Sequence, residues 1–267
     1  MTKIPDDLFK FAWCGTRKHN WPAFVEELAE KADTENWGCN NKILVNYINH
    51  TFTNMAIAVN GGQAEEEKYF PISGEKCCFN TGLFTTYLDS IYAYFELNRM
   101  DHGPKWFLIG FKIKSDYELS SFQKLPKRMD YFNDPSLLVF NPNLEIRTNT
   151  PHILGDDRNI ERLPENLKKG YNKFSMIQQL EGAIGMAKKR IMANYTLAVP
   201  QYYQGNLQLL LPLWFTDNTK ADLALTLTRT DDLYVGRTCL TYDMAYNNAR
   251  LIAKPDSSWL SSENISN

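Results

Sequence analysis

Apolar residues in the first sixty positions recur three and four residues apart, the spacing of an amphipathic helix. Asn20 suits a helix cap and Pro22 suits a first helical turn, so a helix is expected to begin there. A second helical run lies between residues 43 and 52, and the glycine pair after Asn60 interrupts the pattern. Residues 1–62 are therefore predicted to form an N-terminal helical segment.

Farther along the chain the pattern becomes typical of strands. Residues 76–79 are expected to form a short strand, while 91–98 and 105–113 are rich in aromatic and other β-favouring residues. Gly103-Pro104 favours a turn between the last two stretches. We therefore expect an antiparallel hairpin, and a helix over 85–97 is the alternative.

The second half of the chain predicts one long helix, then strands, then a short helix. Apolar residues from Ile177 to Ile191 step by three and four. Thr241 or Asp243 can cap a last helix that ends near Ala253. Three strands are expected before it, in the runs 207–215, 223–228 and 234–240.

These elements predict an α+β fold with a largely antiparallel, mixed sheet packed with helices, as a single compact domain. The N-terminal helical segment is expected to pack on a core formed by residues 63–260. Residues 116–165 are punctuated by prolines and are expected to be a loop-rich insertion. Residues 261–267 are expected to form a flexible tail.

Composition narrows the class of protein. Hydrophobic residues make up 43% and charged residues 22% of the 267 residues, which is ordinary for a globular protein. The formal net charge is -2, which argues against a basic protein that coats nucleic acid. Five scattered cysteines favour a reducing, cytoplasmic location, and no apolar run approaches the length of a membrane span.

Several familiar catalytic and cofactor motifs are absent from the sequence. It holds no phosphate-binding loop ending in Lys-Ser or Lys-Thr, no dinucleotide glycine motif and no Gly-x-Ser-x-Gly elbow. The four histidines form no paired motif, and no Cys-x-x-Cys occurs. No cofactor and no metal are therefore expected.

One candidate site lies in the polar stretch Asn80-Thr81-Gly82. It follows an apolar run, and its small residues would let backbone N–H groups and the Asn80 amide approach a phosphate or a base edge. Lys76 is near enough in sequence to add a positive charge. The alternative is a plain turn, because Asn and Gly suit positive φ.

A second candidate lies on the last predicted helix. Tyr246 and Arg250 are four residues apart and share a face, with Asp243 one turn back and Asn247 beside it. Arg binds phosphate, Tyr can stack on a base, and Asn recognises amide-type edges. An internal Asp243–Arg250 ion pair is the alternative.

We expect the Asn80 stretch and the Arg250 helix to meet across one cleft. Arg229 and Arg237, which flank the preceding hairpin, are added as ligand-binding candidates. If the site is catalytic, Asp243 is the candidate base, and Arg250 and Lys76 would stabilise charge.

Several stretches between Tyr69 and Leu260 are distinctive. They are Phe79-Asn80-Thr81-Gly82-Leu83, Ile91-Tyr92-Ala93-Tyr94-Phe95, Leu211-Pro212-Leu213, Ala245-Tyr246-Asn247-Asn248-Ala249-Arg250-Leu251-Ile252 and Trp259-Leu260. These stretches resemble a family of domains of unknown function from bacteria and fungi, whose members are often fused to cold-shock or OST-HTH (LOTUS-like) RNA-associated modules. The resemblance implies a context of RNA or nucleotide metabolism or defence, without a reaction or catalytic residues.

The leading hypothesis is a protein that binds a nucleotide or RNA, with cleavage of a phosphodiester or phosphoanhydride bond left open. As an enzyme it would be a hydrolase or phosphodiesterase. One alternative is non-catalytic sequestration of a small nucleotide signal in defence or counter-defence. Another is a protein-interaction module, and self-association into a homo-oligomer is left open.

Overall fold

Two five-stranded sheets, each in its own compact unit, organise the chain. The computed structural model describes residues 3–15, 20–155, 157–169 and 172–265. The first unit ends at Asp130 and the second begins at Tyr131. This boundary falls inside the stretch predicted as a loop-rich insertion.

The first unit combines short and long helices with a mixed sheet. The strand order in its sheet is β1-β5-β4-β3-β2, with β1 parallel to β5 and the other pairs antiparallel. Its elements are α1 (Leu8–Phe11), β1 (Ala12–Trp13), α2 (Trp21–Lys31), α3 (Lys42–Asn60), α4 (Glu66–Tyr69), β2 (Ile72–Ser73), β3 (Lys76–Phe84), β4 (Ser90–Leu97) and β5 (Trp106–Ile113).

Phenylalanine rings form much of the core of the first unit. Neighbouring ring centroids lie 5.0 to 6.1 Å apart, within the range of favourable aromatic pairs. The rings are those of Phe11, Phe52, Phe70, Phe79 and Phe95. A second cluster includes Cys78, Tyr94, Leu119 and Phe122, so a segment after β5 supplies apolar cover for the sheet.

The second unit contains the longer helix predicted from the sequence and a second mixed sheet. The strand order is β6-β10-β9-β8-β7, with β6 parallel to β10 and the other pairs antiparallel. Its elements are β6 (Glu145–Thr148), α5 (Thr150–Gly155), α6 (Asp157–Ile160), α7 (Glu165–Lys169), α8 (Lys173–Ala193), β7 (Val199–Tyr203), β8 (Asn206–Leu213), β9 (Leu223–Arg229), β10 (Leu233–Leu240), α9 (Tyr242–Arg250), β11 (Asp256–Ser257) and β12 (Leu260–Ser261).

Helix α8 packs its apolar stripe inward, as its spacing predicts. Leu180, Ala187 and Ile191 are buried. Near its end the guanidinium of Arg190 lies 4.1 Å from the ring centre of Trp214 and donates to Asn218. A cationic side chain here thus has an internal role in the unit.

The predicted fold class is confirmed: the protein is α+β, its sheets are mixed and mostly antiparallel, and its N-terminal segment is helical. The hairpin of β4 and β5 is confirmed over the alternative helix at 85–97. The segment 116–165 contributes β6 to the second sheet. In the predicted tail, Ser262–Asn264 form a 3-10 helix, and the last two residues lie outside the described part of the chain.

The cysteines give a direct test of this packing. Cys39 is exposed, whereas Cys14, Cys77, Cys78 and Cys239 are buried. Burial raises the pKa of the Cys78 and Cys239 thiols to about 12, which keeps them protonated and poorly reactive near pH 8. We expect iodoacetamide to label one cysteine in the native protein and five after unfolding, as counted by mass spectrometry. Cys39→Ser should abolish native labelling, and rapid labelling of a second cysteine would contradict the packing.

Candidate functional site at helix α9

Helix α9 is positioned at both ends by local chemistry. Thr241 precedes it in an extended conformation, and Asp243 in the first turn and Arg250 in the last turn complement the helix dipole. The Tyr242 hydroxyl donates to the Ser261 carbonyl oxygen and accepts from the Ser261 N–H, both at 2.7 Å. The C-terminal hairpin is thereby tied to the start of the helix.

A row of hydrogen bonds joins α9 to the sheet of the second unit. Asn248 Nδ2 donates to Gln201 Oε1 at 3.1 Å, and Gln201 Nε2 donates to Gln208 Oε1 at 2.7 Å. Gln208 Nε2 then donates to Thr228 Oγ1 at 3.0 Å. Gln201 is only 1% exposed, so both ends of its amide are satisfied away from solvent.

Another face of α9 carries the predicted site residues. Asp243 and Asn247 are four residues apart, and Arg250 is three further on, so helical geometry places them on one side. Asn247 Nδ2 donates to the Asp243 carbonyl oxygen at 2.8 Å. Arg250 is 7% exposed and Tyr246 is fully buried. In the part of the chain that the structure describes, the Tyr246 ring therefore offers no open face for stacking.

The carboxylate of Asp243 is the unusual group on this face. Its Oδ1 atom is buried and has no hydrogen-bond partner among the described residues. Leaving a buried charged acceptor without a donor is costly, so such atoms generally meet a donor from water or from a ligand. Asp243, Asn247 and Arg250 together therefore present an acceptor, an amide and a cation on one helix, and we call these three residues the α9 polar face.

The Asn80 stretch has a different local structure. The pairing of β3 with β4 shifts between Asn80 and Phe84, which makes the stretch a bulge within a strand. Asn80 Oδ1 accepts from Gly82 N–H at 2.9 Å, and Asn80 Nδ2 donates to the Pro126 carbonyl at 3.3 Å. Thr81 Oγ1 donates to the Ile91 carbonyl at 2.7 Å. These side chains hydrogen-bond to the backbone of the first unit, and the stretch lies within a strand instead of forming a plain turn.

The remaining candidate cations are spread over both units. Lys76 begins β3, opposite Glu96, and lies near Glu118. The pKa of Glu118 is lowered mainly by a hydrogen bond from Lys112 and also by the charge of Lys76.

The two candidate arginines lie on neighbouring strands of the second unit. Arg229 ends β9 and is half-buried, whereas Arg237 is exposed on β10. Lys76 and Asn80 thus belong to the first unit, and Arg229, Arg237 and the α9 polar face belong to the second. That Asn80 and Arg250 share a cleft stays a prediction.

Sequence reasoning missed a cleft at the C-terminal end of α9. It has a volume of about 250 Å³ and lies within the second unit. Its walls come from segments far apart in sequence, which include Val139, Tyr195, Pro200, Ile252 and Ser257. Because the lining combines residues from 138–139, 195–200 and 249–257, which only folding brings together, the pattern along the chain gives no signal for the cleft.

The fold and the site define an α+β protein with two mixed sheets and a polar helix face. Among the described residues there is no group of three or more His, Cys, Asp or Glu side chains that could hold a metal ion. Within the same ranges no helix is long and apolar enough to cross a membrane. The sequence model of the family "Domain of unknown function (DUF3825)" matches residues 28–259. The chain belongs to this family. No curated protein and no solved structure gave a match.

The expected membership of a domain family of unknown function is therefore confirmed. The association of such domains with cold-shock or OST-HTH modules stays a prediction, because the family match concerns this domain alone.

Gly82 tests the structural role of the β3 bulge. It has φ +78°, and an added Cβ would lie 2.5 Å from the Tyr47 hydroxyl oxygen. Gly62 is a matched control, because it has φ +71° and no atom lies within 4 Å of an added Cβ. Positive φ costs an alanine about 1–2 kcal/mol, so we expect roughly that loss for Gly62→Ala and about 3 kcal/mol for Gly82→Ala in urea unfolding. Adding Tyr47→Phe should recover part of the loss, and equal losses at both glycines would contradict the crowding.

Gln201 tests the hydrogen-bonded row beneath α9. Gln201→Ala removes the partner of both Asn248 and Gln208, so we expect a loss of roughly 1–3 kcal/mol in the free energy of unfolding. Gln179, on the exposed side of α8, is the matched control, and Gln179→Ala should change stability by less than about 0.5 kcal/mol. Similar small effects for the two variants would show that the row adds little to stability.

Proposed function

We propose that the chain binds a nucleotide or a short stretch of RNA through the α9 polar face. The observation that carries the proposal is the buried Asp243 Oδ1 without a hydrogen-bond partner in the described ranges. It lies on the same side of the helix as residue Arg250. A ligand with an N–H or O–H donor would satisfy this oxygen, and an anionic group on the same ligand would be attracted by the positive charge of Arg250.

Nucleotides combine these two chemical features. Arg250 can form two parallel hydrogen bonds to a phosphate, which a lysine cannot reproduce. Asp243 can accept from a ribose hydroxyl or from a base N–H, and the Asn247 amide can both donate and accept. With a formal net charge of -2, contact with nucleic acid has to be local instead of spread over a basic surface.

Binding alone is the minimal form of the proposal. Cleavage of a phosphodiester or phosphoanhydride bond, with Asp243 as base and Arg250 stabilising charge, extends it. Recovery of the ligand intact after prolonged incubation favours sequestration, and recovery of cleaved products favours a hydrolase. A native mass spectrum of protein purified from cells distinguishes sequestration and hydrolysis from a protein-interaction module. A retained nucleotide supports the first two functions, and an oligomer without a ligand supports the third.

Conservative substitutions in the α9 polar face test the proposal. We expect Asp243→Asn and Arg250→Lys each to weaken binding by at least about tenfold, because the first loses an anionic acceptor and the second loses the guanidinium fork. Affinity is measured by isothermal titration calorimetry against nucleoside mono-, di- and triphosphates and a short single-stranded RNA.

Lys189→Ala, which removes one charge at an exposed position on α8, is the control for a change of charge away from the α9 polar face. It should leave affinity within about twofold of the unmodified protein. Circular dichroism checks that each variant is folded. The proposal fails if none of the ligands binds, or if the two α9 variants bind as tightly as the Lys189 control.

A further inference from the structure

The cleft at the C-terminal end of α9 has apolar walls. Val199 and Pro200 come from β7, and Ala249 and Ile252 come from the end of the helix and the turn after it. Val199, Ala249 and Ile252 are each less than 9% exposed. Burying a flat apolar surface between these walls would therefore be favourable.

One buried polar atom belongs to this lining. Ser257 lines the cleft and is 6% exposed, and its Oγ atom is buried without a hydrogen-bond partner among the described residues. A hydroxyl can donate one hydrogen bond and accept others, so it matches the edge of a ring that carries nitrogen or oxygen. An aliphatic group would leave this hydroxyl unsatisfied at a cost.

The size and charge of the cleft limit what it can hold. Its volume of about 250 Å³ is below the roughly 300–1,000 Å³ of sites that enclose a whole drug-sized ligand. One ring system of a larger molecule is a better match. Lys254 and Asp256 both line the cleft, so its formal charge balances, which favours a neutral ring over an anionic group.

An aromatic side chain lies beside this cleft. Tyr195 belongs to its lining and is 67% exposed, so its ring is available as a stacking surface. Large exposed aromatic side chains are common at surfaces that recognise bases or proteins. The exposed Tyr195 ring and the unsatisfied Ser257 hydroxyl together favour a flat heteroaromatic ligand, because such a ligand can stack on the ring and form a hydrogen bond with the hydroxyl.

We propose that this cleft binds the heteroaromatic base of a nucleotide or nucleoside, with the ring between the apolar walls and its polar edge on Ser257. The inference rests on the proposed function for the class of ligand, but it uses none of the residues of the α9 polar face. Ala249 lines the cleft and Arg250 follows it, so cleft and polar face lie about 100° apart around one helix.

Filling the cleft provides the test. Ala253 is exposed and lines the cleft, so Ala253→Trp should block it without disturbing the core. Adenine, guanine, adenosine and guanosine serve as probes, with saturation-transfer NMR and calorimetry as measurements. We expect at least one probe to bind the unmodified protein and to lose at least about tenfold in affinity in Ala253→Trp. Ala193→Trp, at an exposed position outside the cleft lining, is the matched control and should bind normally.

Ser257→Ala separates a ligand contact from a structural role. Removing a buried hydroxyl without a partner should leave the melting temperature unchanged or raise it, while binding of the probe weakens. Ser258→Ala, at the exposed neighbouring residue, should change neither quantity. A melting temperature that falls together with unchanged binding would contradict the assigned contact.

The outcomes distinguish this inference from the proposed function. If nucleotides bind and respond to Asp243→Asn but not to Ala253→Trp, the cleft assignment is overturned and the α9 proposal stands. If free bases bind in the cleft and nucleotides ignore the α9 variants, the cleft assignment stands and the α9 proposal fails. If no base or nucleoside binds, the cleft assignment is overturned.

Discussion

The buried amide of Gln201 is the constraint on which the second unit depends. One end of the amide accepts from Asn248 on α9, and the other end donates to Gln208 on the neighbouring strand. An amide in a nearly dry environment is stable only when both ends are paired, so the helix has to meet β7 at one particular rotation. That rotation decides which side chains of α9 face the sheet and which form the polar face.

The same rule produces a different result in the first unit. Asn80 and Thr81 are also buried polar residues, and their partners are the Gly82 N–H and the carbonyls of Pro126 and Ile91. There the polar side chains make hydrogen bonds to backbone groups in and beside a strand that contains a bulge. Similar residue types thus stabilise a bulge in one unit and join a helix to a sheet in the other.

Much of the fold could be predicted from the sequence because the signals are local. The spacing from Ile177 to Ile191 identifies α8, and the aromatic runs on either side of Gly103-Pro104 identify a hairpin. The parallel pairing of β6 with β10 could not be predicted, because it joins distant segments by backbone hydrogen bonds that leave no side-chain pattern. The division of the strands into two sheets depends on the same kind of pairing.

The candidate site was predictable only in part, for a related reason. The spacing of Asp243, Asn247 and Arg250 shows directly that they share a helix face. Their burial depends on what packs around the helix, and the sequence does not show it. For Asn80-Thr81-Gly82 the residue types that suit a ligand loop also suit a bulge, so the pattern alone cannot choose. The cleft near Ser257 has no pattern, since tertiary packing assembles it.

At one edge of each five-stranded sheet lies a short parallel strand that is distant in sequence from the strand it pairs with. The other strands of each sheet follow one another as antiparallel neighbours, so their pairing closes short loops, whereas β1 and β6 have to close long ones. The meanders can therefore form first, and the parallel edges join a sheet that already exists. Since β1 pairs over only two residues, amide exchange at that edge should proceed by local opening, independently of global unfolding.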